Sequence, residues 1–121
     1  MLYRIDLSEA QREKKSDYQS FNDFFTRSLK PGARTIQGTV SSPADGTVAA
    51  LGNIDGSTLI QSKNHSYSLA KLIASNDIED FSAGSFITVY LAPHNYHRVH
   101  APCAGELHHA AYIPGALFSV N

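Results

Sequence analysis

His94, His97 and His100 place three of the chain's six histidines within one short stretch, with Arg98 between the last two. An imidazole changes protonation near neutral pH, so it can take a proton in one step and return it in another. Any one of these side chains could be a satisfied histidine of a polar loop, but the cluster as a whole points to proton transfer. No acidic residue lies inside the block, which carries Asn95 instead. On an extended backbone side chains alternate, so His97 and Val99 share one face while Arg98 and His100 share the other. The two histidines are then free to do different work. Three histidines can also hold zinc, which would recruit His108 as the third ligand. Against that, the His97/His100 pair on a strand points to opposite faces.

The elements that must hold this block are legible on either side of it. The apolar run Ser85–Leu91 reads as a buried strand, ended by Pro93. Pro102 and Gly105 punctuate the way out, and residues 105–113 read as a further strand. That strand would turn His108 and His109 to opposite faces. Upstream, Thr47–Leu51 and Thr58–Gln61 are strand-like, with turns at Asp45-Gly46 and Asp55-Gly56. Asp45 is first of all a turn residue, and a turn can also hold a side chain rigidly. Ser57 reads as a hairpin residue. Residues 20–29 read as a helix capped by Ser20, with Phe21, Phe24, Phe25 and Leu29 on one face. That face serves either core packing or a membrane surface. A short helix over 68–75, capped by Ser68, turns Leu69, Leu72 and Ile73 inward. The loop after it, 76–84, is anchored by Phe81. Residues 9–15 form a polar helix behind a capping box or else a frayed lead.

Composition bounds the rest. The chain has 121 residues, 42% of them hydrophobic and 17% charged, which suits a folded domain with a modest core. A net charge of −1 gives no basic footprint for nucleic acid. Cys103 is the single cysteine, so no internal disulfide and no cysteine metal motif is expected. No apolar run approaches bilayer length, and the start lacks the apolar core of a secretory signal. The expected fold is mainly β (α+β): several short strands in a barrel- or sandwich-like core with two or three short helices. A helical lead over 1–35 would precede a β domain over 36–121.

The residues Tyr96-His97-Arg98-Val99-His100-x-Pro102-Cys103-x-Gly105 resemble the signature of phosphatidylserine decarboxylase, the pyruvoyl-dependent lyase. Ser42-Pro43-Ala44-Asp45-Gly46-Thr47-Val48 is similar to the family's Pro-Ala-Asp-Gly block. Tyr112–Asn121 is similar to the block after the histidines, and Phe21–Lys30 to the family's aromatic segment. The resemblance extends over roughly residues 17–121, with the histidine block its specific part. The resemblance implies an N-terminal part of the enzyme that stops in mid-domain, with a barrel-like β core completed by the C-terminal, alpha-chain portion. The family cleaves itself at a Gly-Ser-Thr well after the histidine block. Gly56-Ser57-Thr58 has that form but precedes the block, so the cleavage serine is expected beyond this chain.

What the resemblance implies for chemistry comes in two phases. Asp45 orients His100, and His100 takes the proton of the cleavage serine, as in a triad recognised by roles. The serine attacks the preceding carbonyl, and the new chain begins with a pyruvoyl group. That cofactor then acts as the electron sink while phosphatidylserine loses CO2, and His97 returns a proton as general acid. The product is phosphatidylethanolamine. The chain alone would be inactive. The resemblance also implies peripheral contact with the cytoplasmic side of a bacterial cell membrane, with homodimerisation left open. The family usually has Asp where this chain has Asn95. Asn cannot ionise but can still hydrogen-bond. Two alternatives stand beside this reading: a metal-dependent hydrolase built on His97, His100 and His108, and a lipoyl- or biotin-carrier-like β module, weakened by the lack of a suitably flanked lysine.

Overall fold

The computed structural model describes residues 5–56, 58–61 and 65–116. The chain falls into two units, Met1–Ala49 with Val89–Gly105, and Ala50–Thr88 with Glu106–Asn121.

In the first unit the N-terminal segment and the segment after the aromatic helix pair by their backbones. Ala10 and Leu29 form an antiparallel bridge, flanked by Gln11 N–H to Ser28 O at 3.0 Å and Lys30 N–H to Glu9 O at 2.9 Å. That pairing corrects two expectations. Residues 9–11 are committed to the bridge and cannot start a helix, so only a 3-10 turn at Lys15–Asp17 forms. Leu29 and Lys30 are likewise committed, so helix α1 is confined to Phe21–Phe25 rather than running to residue 29. Its cap is as expected: Ser20 Oγ accepts from Asp23 N–H at 3.1 Å. Asp23 in turn takes both Arg12 nitrogens, at 2.9 and 2.5 Å, and Arg12 lies over the Tyr18 ring.

Among the described residues four strands form: β1 (Thr47–Asn53), β2 (Thr58–Gln61), β3 (His65–Ser68) and β4 (Ser85–Tyr90). β1 pairs with β4, and β2 pairs antiparallel with β3, from Thr58 opposite Ser68 to Gln61 opposite His65. The structure is therefore mixed α and β, and its described strands make two two-stranded sheets rather than a closed barrel or sandwich. The Asp55-Gly56 turn does not join β1 to β2 as a hairpin, because β1 takes its partner from later in the chain. Gly56 does occupy the left-handed region, at φ +60°. Ser57 lies outside the described residues. The expected strand over 105–113 is absent. Residues 106–116 are exposed and irregular, as a strand without a neighbour must be, since its backbone groups then turn to water.

In the second unit Ile54 and Leu69 are buried together, with Ile73, Ile78 and Phe86 packed against them. Helix α2 (Leu69–Ile73) is capped by Ser68 and ends at Ala74 in the left-handed region. Leu72 is 49% exposed and Phe81 50% exposed, so neither is the inward anchor that their hydrophobicity suggested. β4 is only half-buried, with Ile87 exposed, because a two-stranded sheet has few neighbours to cover it.

Candidate functional site

Every residue of the site lies in the first unit. β4 delivers the chain into a tight turn over residues 92–95. There Ala92 N–H donates to Asn95 Oδ1 at 2.7 Å, and Asn95 N–H donates to Ala92 O at 2.8 Å. Asn95 thus works through an oxygen acceptor that Asp would also possess. His97 follows, and its Nε2–H donates to the same Ala92 carbonyl at 2.9 Å. The His97 ring stacks on Phe25 of α1, with centroids 3.7 Å apart and planes 25° apart.

The backbone of the turn is gripped by Arg27, which is 4% exposed. Its Nη2 donates to His94 O at 3.0 Å and to Asn95 O at 2.9 Å. Its guanidinium also lies 4.5 Å from the Phe24 ring centroid. Burial pulls its pKa below the usual guanidinium range, although the carbonyls keep each grip charge-assisted. Arg98 Nε donates to Thr26 O at 2.8 Å.

His100 faces elsewhere. Its backbone N–H donates to Pro43 O at 2.9 Å, and Ser41 N–H donates to Pro102 O at 2.8 Å. These two bonds lay residues 41–43 along 100–102. They bring Asp45 and His100 to the wall of one cavity of about 1030 Å³, shared with Arg34, Tyr96, Arg98 and Cys103. Arg98 and His100 line it while His97 and Val99 do not. His100 Nε2 lies 2.8 Å from the hydroxyl of buried Tyr96, whose ring stacks on it with a 5.6 Å centroid separation.

Asp45 does not reach His100 in this arrangement. Its Oδ2 accepts from Arg34 Nε at 2.6 Å and Nη2 at 2.5 Å, and Arg34 Nη1 reaches Glu9 at 2.8 Å. The bond to Asp45, against a small burial cost, holds the Arg34 guanidinium above its ordinary pKa. Gly46, next to Asp45, has no positive φ; its need for glycine is spatial. A Cβ there would collide with the Tyr90 carbonyl oxygen and lie 2.8 Å from Val89 Cγ1.

The three residues singled out by sequence are thus placed as follows: Asp45 and His100 on one cavity, His97 outside it against Phe25. Sequence reasoning passed over Tyr96, Arg34, Arg27 and Phe25 as site residues. Tyr96 stands four residues before His100, a hint at hand; nothing local marks Arg34. Among the described residues no three His, Cys, Asp or Glu side chains come together as metal ligands. His108 is exposed, with Glu106 4.0 Å away.

Imidazole, phenol, carboxylate and guanidinium wall this cavity, and a second imidazole is bonded to a carbonyl beside it, on a small α+β framework: groups whose chemistry is proton exchange. The comparisons specify it further. The chain belongs to the phosphatidylserine decarboxylase family, whose model matches residues 21–121. It is 49% identical over 124 residues to the phosphatidylserine decarboxylase proenzyme of Saccharophagus degradans, covering 98% of this chain and 43% of that protein. Similar relatives are the proenzymes of Pseudomonas aeruginosa, 50% identical over 125 residues, and Haemophilus influenzae, 48% identical over 124, each covering 98% of this chain and 43% of its own length. The chain therefore spans less than half the length of these curated relatives.

Proposed function

We propose that this chain supplies Asp45, His97 and His100 to a phosphatidylserine decarboxylase that matures by self-cleavage and releases CO2 from phosphatidylserine to leave phosphatidylethanolamine. The observation that carries the reading is the shared cavity of Asp45 and His100, built by the pairing of residues 41–43 with 100–102. Two segments distant in sequence meet there, and each carries one of the blocks that resemble the family's.

In the cleavage phase His100 accepts the serine hydroxyl proton as the oxygen attacks the carbonyl before it. Asp45 then exchanges Arg34 for His100, a side-chain rotation within the cavity. It steadies the imidazolium that forms. Tyr96 Oη holds the resting ring through Nε2 and gives up that nitrogen when the serine and Asp45 engage the imidazole. The donors along the cavity, Tyr96 Oη, His100 and the Arg98 guanidinium, fit a group with two adjacent carbonyls such as pyruvoyl. When present, that group supplies an electrophilic carbonyl that draws electrons from the substrate as CO2 leaves. The return of the proton falls to His97 by the family resemblance, although its ring lies outside the lining of this cavity.

The partners that go with this reading are the phospholipid substrate, the alpha-chain portion bearing the cleavage serine, and a membrane surface on its cytoplasmic side. Phe21, 66% exposed on α1, is an apolar contact suited to that surface. The serine of Gly56-Ser57-Thr58 precedes the histidines and is not assigned the cleavage role. By itself the 121-residue chain should release no CO2.

The test uses the full-length protein and reads two phases separately, cleavage by gel mobility and chemistry by labelled CO2. His100→Ala and Asp45→Ala should leave the precursor uncut. His97→Ala should cut yet lose decarboxylation by about 10²–10⁴-fold. Reversed phenotypes would reverse the roles, and no effect on either phase would sink the proposal.

A further inference from the structure

The short segment Phe25-Thr26-Arg27 touches the histidine turn at four points, although some seventy residues of chain separate them. Phe25 stacks on the His97 ring, Thr26 O accepts from Arg98 Nε, and Arg27 holds the carbonyls of His94 and Asn95. These contacts bracket His97 on both sides in sequence, at 94–95 and at 98. The ring itself has its two remaining freedoms removed. Stacking fixes its plane, and the bond to Ala92 O fixes its flip.

A carbonyl oxygen only accepts, so the hydrogen in that bond belongs to Nε2. In the neutral ring the lone pair then sits on Nδ1. In the imidazolium, Nδ1–H is the proton that can leave without breaking the bond to Ala92. We infer that Phe25, Thr26 and Arg27 are positioning residues that hold His97 as its Nε2–H tautomer, so that His97 exchanges its catalytic proton through Nδ1. The inference rests on the proposed role of His97 as proton donor. It adds which nitrogen acts and what holds it.

Arg27 suits the task better than lysine would, because Nη2 alone donates to both carbonyls while Nη1 of the same planar group reaches back to Phe24 O at 3.4 Å, tying the turn to α1 in a way one ammonium nitrogen does not. Phe25 is placed by α1, which ends at once: Thr26 leaves helical geometry and its carbonyl turns to Arg98. A helix running on to residue 29 would have kept that carbonyl for itself. The truncation by the Ala10–Leu29 bridge and the freedom of this acceptor are therefore one event.

The experiment uses full-length, self-processed enzyme with ¹⁵N-labelled histidine, the His97 signals being identified by their loss in His97→Gln. Long-range ¹H–¹⁵N correlation should show neutral His97 protonated at Nε2. Phe25→Leu, close in size but lacking the ring face, should give mixed tautomers and lower kcat for CO2 release at least about 10-fold, since small misplacements are costly. Cleavage and KM should stay near wild type. Phe25→Tyr should restore both tautomer and kcat. Arg27→Met should mimic Phe25→Leu, and Arg27→Lys should rescue it only in part; if Arg27→Met fails to fold, the Phe25 pair decides. A wild-type Nδ1–H tautomer would overturn the inference, as would unchanged tautomer and kcat in Phe25→Leu. Should His97→Ala keep full CO2 release, the proposed role falls instead, and the tautomer measurement still judges the clamp.

Discussion

Replacing Gly46 by alanine is the sharpest test of how the site is built, because one methyl group meets the end of β4. A Cβ at position 46 would overlap the Tyr90 carbonyl oxygen and lie 2.8 Å from Val89 Cγ1 and 3.0 Å from the Tyr90 carbonyl carbon. Carbon atoms settle at about 3.5–4.0 Å, so something must retreat by about 1 Å. Two of the three obstacles are backbone, which cannot rotate away as a side chain can. Overpacking costs about 1–3 kcal/mol and sometimes more, and backbone obstruction puts this case near the upper end, about 3 kcal/mol. In a protein of 150–250 residues each kcal/mol lowers Tm by about 2–4 °C and in a longer one by less, so a loss of at most about 6–12 °C is expected. Gly105→Ala supplies the comparison, since nothing lies within 4 Å of the added methyl. It should be neutral or gain about 0.4–1 kcal/mol through the unfolded chain. The backbone displaced by Gly46→Ala leads directly into the 92–95 turn, and Asp45 is its neighbour, so precursor cleavage should slow as well. Melting curves and gel-scored processing of full-length variants give both readouts. Equal Tm values and equal processing for Gly46→Ala and Gly105→Ala would refute the close-approach argument.

Two further outcomes are expected. Hydrogen bonding to Arg12 lowers the Asp23 pKa, so its charged form stabilises the fold above the unfolded carboxylate value of about 3.9 and that contribution is lost as pH falls through the lower folded value. Asp23→Asn should therefore have the lower denaturant midpoint at pH 7, with the gap to wild type narrowing in acid; a gap independent of pH would contradict the ion-pair account. Asn95→Asp keeps the oxygen that accepts from Ala92 N–H and should still self-cleave, whereas Asn95→Leu strips a part-buried donor of its partner at a cost of about 1–3 kcal/mol, readable by denaturant titration.

The candidates Asp45, His97 and His100 were picked from residue type and from the blocks around them, and the structure sets Asp45 and His100 on one cavity and His97 outside it. The caps at Ser20 and Ser68, the left-handed Gly56 and the strands β1, β2 and β4 were legible for a similar reason: each is decided within a few residues, by a hydroxyl, a missing Cβ or an apolar run. His97 and His100 do face apart, although the segment that carries them is irregular and not the strand on which that expectation rested. Partners were another matter. Nothing local told β1 to pair with β4, Ala10 with Leu29, or residues 41–43 with 100–102. Those pairings shortened the aromatic helix, opened the cavity and tied Asp45 to Arg34 rather than His100. Backbone hydrogen bonds between distant segments carry no residue code, since every residue but proline offers the same donor and acceptor. Which segments meet is settled by the packing of the whole unit, and with it whether a given carboxylate faces an arginine or an imidazole.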